Sequence, residues 1–530
     1  MPSRTRLLSL FLGTVCLLTS YVHVPLADAS QDSPRAQDHA LNGFELAQQG
    51  KLKEAEAELR RAVDLAPENP DYLSGLGSVL STQQRLREAE SYFLKAVKLA
   101  PRNLSFRRNL AANQWELGKL QESKALLEVI LRSSPGDERA LLLLGMVMER
   151  LRNYVKAAEL LGSVPDLVKQ RPESLGALVR AYYQTGQKQK ARQTLEILCE
   201  HPTGPTAAFL GAQMATEAED YEIAETLFRS IEAVYPDKAA LGYHLALVEY
   251  RMGRFSECTQ RLMELNQRGS PQSRAYNLLG WCYLKQGHPK EASHSLERAI
   301  ELDPSRESNY LDLALILASH RRLPDALAAA KECVRKQPTS YHAHLMKGMI
   351  ELHMDQYIDA VTSYEKSIEL QPSDPEPYRG LAVAQFGSGM TREALATFEK
   401  ALKQFPQSAL LNQDYGKVLV KLAETGQADA ETRAANQFQK ALALDPSLSE
   451  SHYFLGDLAL KQGRITEAVR CLESAAQRDK KSSRVHYALS RAYRRIGRTE
   501  EAAKEQEAYL RLKSLEEETP PGLSTLIKVN

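Results

Sequence analysis

Prolines recur along this chain at a fixed interval. Pro67, Pro101 and Pro135 are 34 residues apart, and so are Pro304, Pro338, Pro372 and Pro406. A constant period of this length constrains the fold more than any composition does, because each period must then be one copy of one small structural unit. Aligning the chain on these prolines brings other residues into columns. One column is small: Gly43, Gly77, Ala111, Gly145, Gly280, Ala314, Gly348, Gly416 and Gly456 belong to it, and Val179 is its one bulky member. A second is small throughout, from Ala55 and Ala89 through Cys258, Ala292 and Ala326 to Ala468 and Ala502. A third, four places later, is bulky and apolar, as at Phe93, Phe228, Tyr364, Phe398 and Phe438.

Each period holds two apolar stretches at helical spacing. A glycine often marks the turn between them, as at Gly118, Gly287 and Gly463. The proline stops the second stretch, because it has no N–H and clashes with the preceding turn. Small residues let helix backbones approach closely. One helix pair cannot bury its own apolar face, so the pairs must stack into a single array rather than separate globules.

These columns resemble the tetratricopeptide repeat (TPR). The clearest match is residues 273–306, with Tyr276, Leu279-Gly280, Tyr283, Ala292, Leu296, Ala299 and Pro304. The resemblance implies an all-α TPR α-solenoid, a right-handed superhelix of about fourteen helix-turn-helix units with a concave groove lined by the first helices. The units tile 36–516, leaving a polar lead at 30–35 and a tail at 517–530. In 104–272 the small residue late in the second helix gives way to Ile130, Val164, Leu198, Ile231 and Leu265, which predicts splayed helices and a bend. The unit at 409 is six residues longer than the 34-residue period, and AETGQADAE (423–431) is expected to form a polar loop.

Residues 1–29 read as a secretory signal: Arg4 and Arg6, an apolar run from Leu7 to Val22, then small residues at Ala27 and Ala29. The protein is therefore expected to be exported, periplasmic or extracellular, with an N-terminal membrane anchor as the alternative. No other stretch is apolar enough to span a bilayer. Lys+Arg is 68 against 67 Asp+Glu, and the balance is 66 to 66 without the signal. A neutral chain gives no electrostatic case for nucleic acid.

Chemistry is sparse. No phosphate loop, HExxH or GxSxG motif occurs, His342, His344 and His353 lack ligand spacing, and neither cofactor nor metal is expected. With 481 residues in repeats, too few remain for a catalytic domain. Cys199, Cys258, Cys282, Cys333 and Cys471 lack metal or CxxC spacing; Cys258 and Cys333 stand in small-residue columns and read as packing residues, and no disulfide is expected.

The expected binding surface is the stripe opposite the packed side of the first helices. It carries Phe44, Trp115, Tyr183, Phe209, Tyr243, Tyr250, Trp281, Phe386, Tyr453 and Tyr487, with Arg108, Arg180, Arg251 and Arg379 on or beside it. Tyr, Trp and Arg are the residues that anchor interfaces. They point to a non-catalytic scaffold holding a protein or peptide ligand. The alternative is an envelope component assisting polysaccharide or protein secretion or assembly, with polysaccharide-secretion machinery as the second partner class, since TPR arrays accompany it and aromatic rings suit sugars. The Lys/Asn clamp of one TPR subclass is incomplete: Asn109 matches, but Ser74 and Ser78 stand where Lys and Asn are needed.

Overall fold

The computed structural model describes residues 33–200, 205–268, 272–427 and 429–518. The secretory-signal segment and residues 519–530 of the tail lie outside them. Among the described residues there are 29 helices, forming fourteen hairpins plus one short helix, Pro165–Lys169. No strand occurs among them. By contacts the chain divides into two units, up to Val248 and from Glu249.

The proline period is visible as a stop-and-start signal. Leu52–Leu65 ends at the C-cap Ala66, and Pro67 follows. Two residues later the Asn69 side chain accepts hydrogen bonds from the N–H groups of Asp71 and Tyr72, starting Pro70–Thr82. Asn103, Asp137, Ser340 and Ser408 cap later first helices in the same way. Each cap satisfies N–H groups that have no partner within the helix. Ser33 does this at the front, so the first helix, Pro34–Gln48, takes in the end of the expected polar lead.

Every hairpin carries one residue of positive φ at the end of its first helix. Nine are glycines, and Gln84, Arg152, Glu219, Arg321 and Asp355 hold the same place elsewhere. A side chain there costs roughly 1–2 kcal/mol. Arg152→Gly is expected to raise stability by about 0.5–1 kcal/mol, the relief being partly offset by glycine's greater unfolded-state entropy. A thermal melt beside the parent chain measures it.

The small columns sit where helices touch. Ala55, Ala89, Ala292 and Ala468 are fully buried. A Cβ added at Gly280 would lie 3.0 Å from Leu296 Cγ and 3.1 Å from the Ala292 carbonyl oxygen.

Three expectations are corrected here. Val164 and Ile231 are not late in a second helix, because those helices are cut short: Tyr154–Gly162 and Tyr221–Ser230 span 9 and 10 residues. Pro165 removes an N–H and disfavours helical backbone at Val164, which becomes the N-cap of Pro165–Lys169. The insertion in the unit at 409 is only partly a loop, since Ala409–Glu424 has grown to 16 residues. Finally, Cys258 and Cys282 form a disulfide with Cα atoms 6.7 Å apart. Cys258, on Phe255–Arg268, reads as a packing residue because the second helices present this column inward; the next first helix, Ser273–Lys285, brings Cys282 against it. Cys333 is a free buried thiol, its pKa pushed up to about 12 by burial. Cys471 is free and half-buried, and the side chain of Cys199 lies outside the described residues.

Candidate functional site

Within the unit from Glu249, first helices touch first helices in series: Ser273–Lys285, Glu307–Ser319, Tyr341–His353, Glu376–Gly387, Ala409–Glu424, Ser449–Lys461 and Ser483–Arg495. From Pro289–Leu302 onward, the second helices pack against first helices and not against each other to a comparable degree. The layer whose members meet is the tighter one, so its free face is the inner, concave face of this unit.

In the unit up to Val248 several expected groove residues are otherwise engaged. Trp115 is 4% exposed, with the Arg150 guanidinium 4.0 Å from its ring centroid and Arg150 Nη1 donating to its carbonyl oxygen at 3.2 Å. Phe209 is 7% exposed, stacked on Tyr235 at 4.5 Å and edge-on to Phe228 at 5.4 Å. These two are core residues, and the expectation that they face a partner is corrected. Arg150 of the next first helix covers the one. Tyr235, in the turn after the shortened Tyr221–Ser230, covers the other. Phe44 is half-buried above Gly75, where a Cβ would fall 2.3 Å from its ring.

Tyr183 donates its hydroxyl to Asp220 at 3.2 Å. Burial, reinforced by Asp220, raises the pKa of that phenol. Arg108 pairs with Asp137, and Arg180 with Glu149 at 2.7 Å. Tyr243 is half-buried and lies edge-on to His244 at 5.5 Å.

In the unit from Glu249, Tyr250 and Trp281 are half-buried, and Arg251 is exposed. Tyr250 meets Phe255 edge-on at 5.5 Å. Phe386 is half-buried against the core around Tyr378 and Leu411. Tyr453 lies under the Arg484 guanidinium at 4.9 Å. Tyr487, 43% exposed, leans on Tyr509 at 5.0 Å.

Arg379 leads into a charge ladder that the aromatic stripe did not reveal. It pairs with Glu376 and with Asp414, each at 2.6 Å. Lys417 pairs with Asp414 at 2.6 Å and with Glu450 at 3.3 Å, and Arg484 closes on Glu450. Alternating charges thus link four successive first helices. Burial alone would raise the Asp414 pKa; Lys417 and Arg379 outweigh it and hold the carboxylate below its usual range. Burial wins at Glu376, whose pKa is raised although Arg379 opposes it. Opposite charges at the fifth place of one repeat, the sixth and ninth of the next and the second of each of the two after that were the available signal.

The Tetratricopeptide repeat family model matches residues 43–103, 108–168, 311–375, 345–409, 432–470 and 455–517, and a second model of the same description matches 273–306. The chain belongs to the tetratricopeptide repeat family. It is 23% identical over 371 residues to Superkiller protein 3 of Schizosaccharomyces pombe, covering 66% of this chain and 24% of that one. It is 23% identical over 330 residues to Anaphase-promoting complex subunit 7 of Arabidopsis thaliana, covering 62% and 57%. The chain thus spans about a quarter and just over half of these relatives' lengths. Among solved structures it is similar to yeast Tom70, at 18% identity and a TM-score of 0.40, covering 90% of this chain and 92% of that one.

In this TPR array Asn109 donates to Ser74 Oγ at 3.1 Å, so the one matching clamp residue is bonded within the protein. Among the described residues no group of three or more His, Cys, Asp or Glu is placed to hold a metal ion. No helix there is long and apolar enough to cross a membrane.

Proposed function

We propose that this TPR protein is an exported, non-catalytic scaffold that holds a protein partner in extended form along the concave face of the unit from Glu249. The observation that carries this reading is the continuous layer of first helices from Ser273–Lys285 onward, with half-buried Trp281 and Tyr453 on it. Such rings offer large contact area at little conformational cost, and ordered charges beside them favour one binding register. Scaffolding fits the family, and one relative is named as a subunit of a complex.

Export rests on the pattern of residues 1–29 and is supported by the Cys258–Cys282 bond, since disulfides persist in oxidising compartments. N-terminal sequencing of the mature chain tests it, with Ser30 the expected start.

Trp281→Ala is expected to weaken capture of partners from envelope extracts at least tenfold, which is about 1.4 kcal/mol and within the range of interface anchors, while the melting profile stays close to the parent's. Quantitative mass spectrometry of captured proteins measures it. Unchanged recovery of all partners in both Trp281→Ala and Tyr250→Ala would remove the groove assignment.

A further inference from the structure

Asp312 and Asp414 hold the same place in their repeats, each the sixth residue of its unit. Asp414 receives Arg379 from the preceding first helix and Lys417 from its own. The corresponding places around Asp312 hold Asn277 and Leu315. Asn277 donates Nδ2 to Asp312 Oδ2 at 2.7 Å, and the Trp281 indole, one turn further along the same helix, is near enough to act on the same carboxylate. Both neighbours are neutral. Arg306 acts on the carboxylate only through space. Asp312 is half-buried, so it is partly stripped of water yet still reachable from the groove. Burial accordingly raises its pKa, the reverse of the balance at Asp414. Tyr250, on the first helix before Trp281, is near enough to feel the Asp312 charge.

A carboxylate in this setting lacks the counter-charge that its counterpart at Asp414 has within the protein. We propose that Asp312, with the rings of Trp281 and Tyr250, receives one cationic side chain, Lys or Arg, of an extended peptide bound in the groove. The proposal rests on the groove reading above and names the chemistry of its partner. The charge selects a cation. The rings favour an organic cation over a hydrated metal ion, because ammonium and guanidinium groups are attracted to aromatic faces. Asn277 turns its amide N–H towards the carboxylate and so fixes its orientation without neutralising it.

The chain has two tryptophans, which makes the test direct. Full-length protein carrying 15N-tryptophan is titrated with the peptide acetyl-Gly-Gly-Arg-Gly-Gly-amide and with its citrulline counterpart, which has the same shape but no charge. The arginine peptide is expected to move the Trp281 indole resonance and leave that of buried Trp115 in place. The citrulline peptide is expected to bind at least tenfold more weakly. Asp312→Asn, which keeps the shape and removes the charge, is expected to weaken the arginine peptide at least tenfold while both indole signals remain those of a folded chain. Equal titration by the two peptides, or unchanged binding in Asp312→Asn, overturns the proposal. Either result beside intact Trp281-dependent partner capture sinks the cation site alone; loss of both sinks the groove reading with it.

Discussion

Asp414→Ala is expected to destabilise the unit from Glu249 by about 3 kcal/mol, the low end for removing one member of a buried charge pair. The carboxylate is 6% exposed and serves Arg379 and Lys417 together. Its loss leaves both cations in a desolvated layer, Arg379 with Glu376 alone and Lys417 with Glu450 alone. Hydrogen exchange is the suitable measurement, since a repeat array need not unfold in one step. Amides in Glu376–Gly387 and Ala409–Glu424 are expected to exchange about a hundredfold faster than in the parent. The effect has a defined pH dependence. The Asp414 pKa is lower folded than unfolded, so its contribution is complete above the unfolded value of about 4 and is lost as pH falls through the folded value below it. The gap between mutant and parent is therefore full at neutral pH and closes in acid. Replacing Arg379, Asp414 and Lys417 together by apolar residues of similar size is expected to recover most of the loss, because no charge is then left unpaired. A triple variant as unstable as Asp414→Ala would show that the ladder does not act as a charge network.

Phe438→Ala is expected to cost about 3–5 kcal/mol, the range for emptying a buried aromatic site. Phe438 is fully buried and stacks on Phe454 at 5.1 Å. Its ring also fills the space over Gly416, where an added Cβ would fall 2.7 Å from it. The two positions are complementary, so their effects should not add. Gly416→Ala is expected to destabilise the parent through that clash. In the Phe438→Ala background the same change is expected to stabilise, since the methyl enters vacated space and alanine suits a helix better than glycine. Thermal melts of the four chains measure the sign change. The same sign in both backgrounds would show that Gly416 is not small on account of Phe438.

The fold was legible because its determinants are local and repeated. Proline stops, Asn and Ser caps, glycine turns and alanine contacts all act within one period, and each recurs in phase. What the pattern hid depended on which neighbour covers a given residue. Trp115 and Phe209 have the spacing of groove residues, but Arg150 and Tyr235 arrive from the next repeat to cover them. The Cys258–Cys282 bond was hidden for a related reason. A small residue is expected in that column, and cysteine satisfies it equally well as a thiol or a half-cystine. The ladder through Arg379, Asp414, Lys417, Glu450 and Arg484 is written at groove positions, but its pairs lie 33 to 35 residues apart except within Ala409–Glu424. Such pairs emerge only when adjacent first helices are laid side by side.

The disulfide also changes how this array would respond to mechanical load. A solenoid pulled from its ends lengthens by peeling helices into extended chain, about 3.4 Å for each residue released. The 24-residue separation between Cys258 and Cys282 is locked behind a covalent bond, so force passes from one cysteine to the other and bypasses the chain between them. Roughly 80 Å of contour is thereby withheld from stretching. The withheld length includes most of Phe255–Arg268 and most of Ser273–Lys285, Trp281 among them. Under tension this segment would stay tethered while helices elsewhere peeled away.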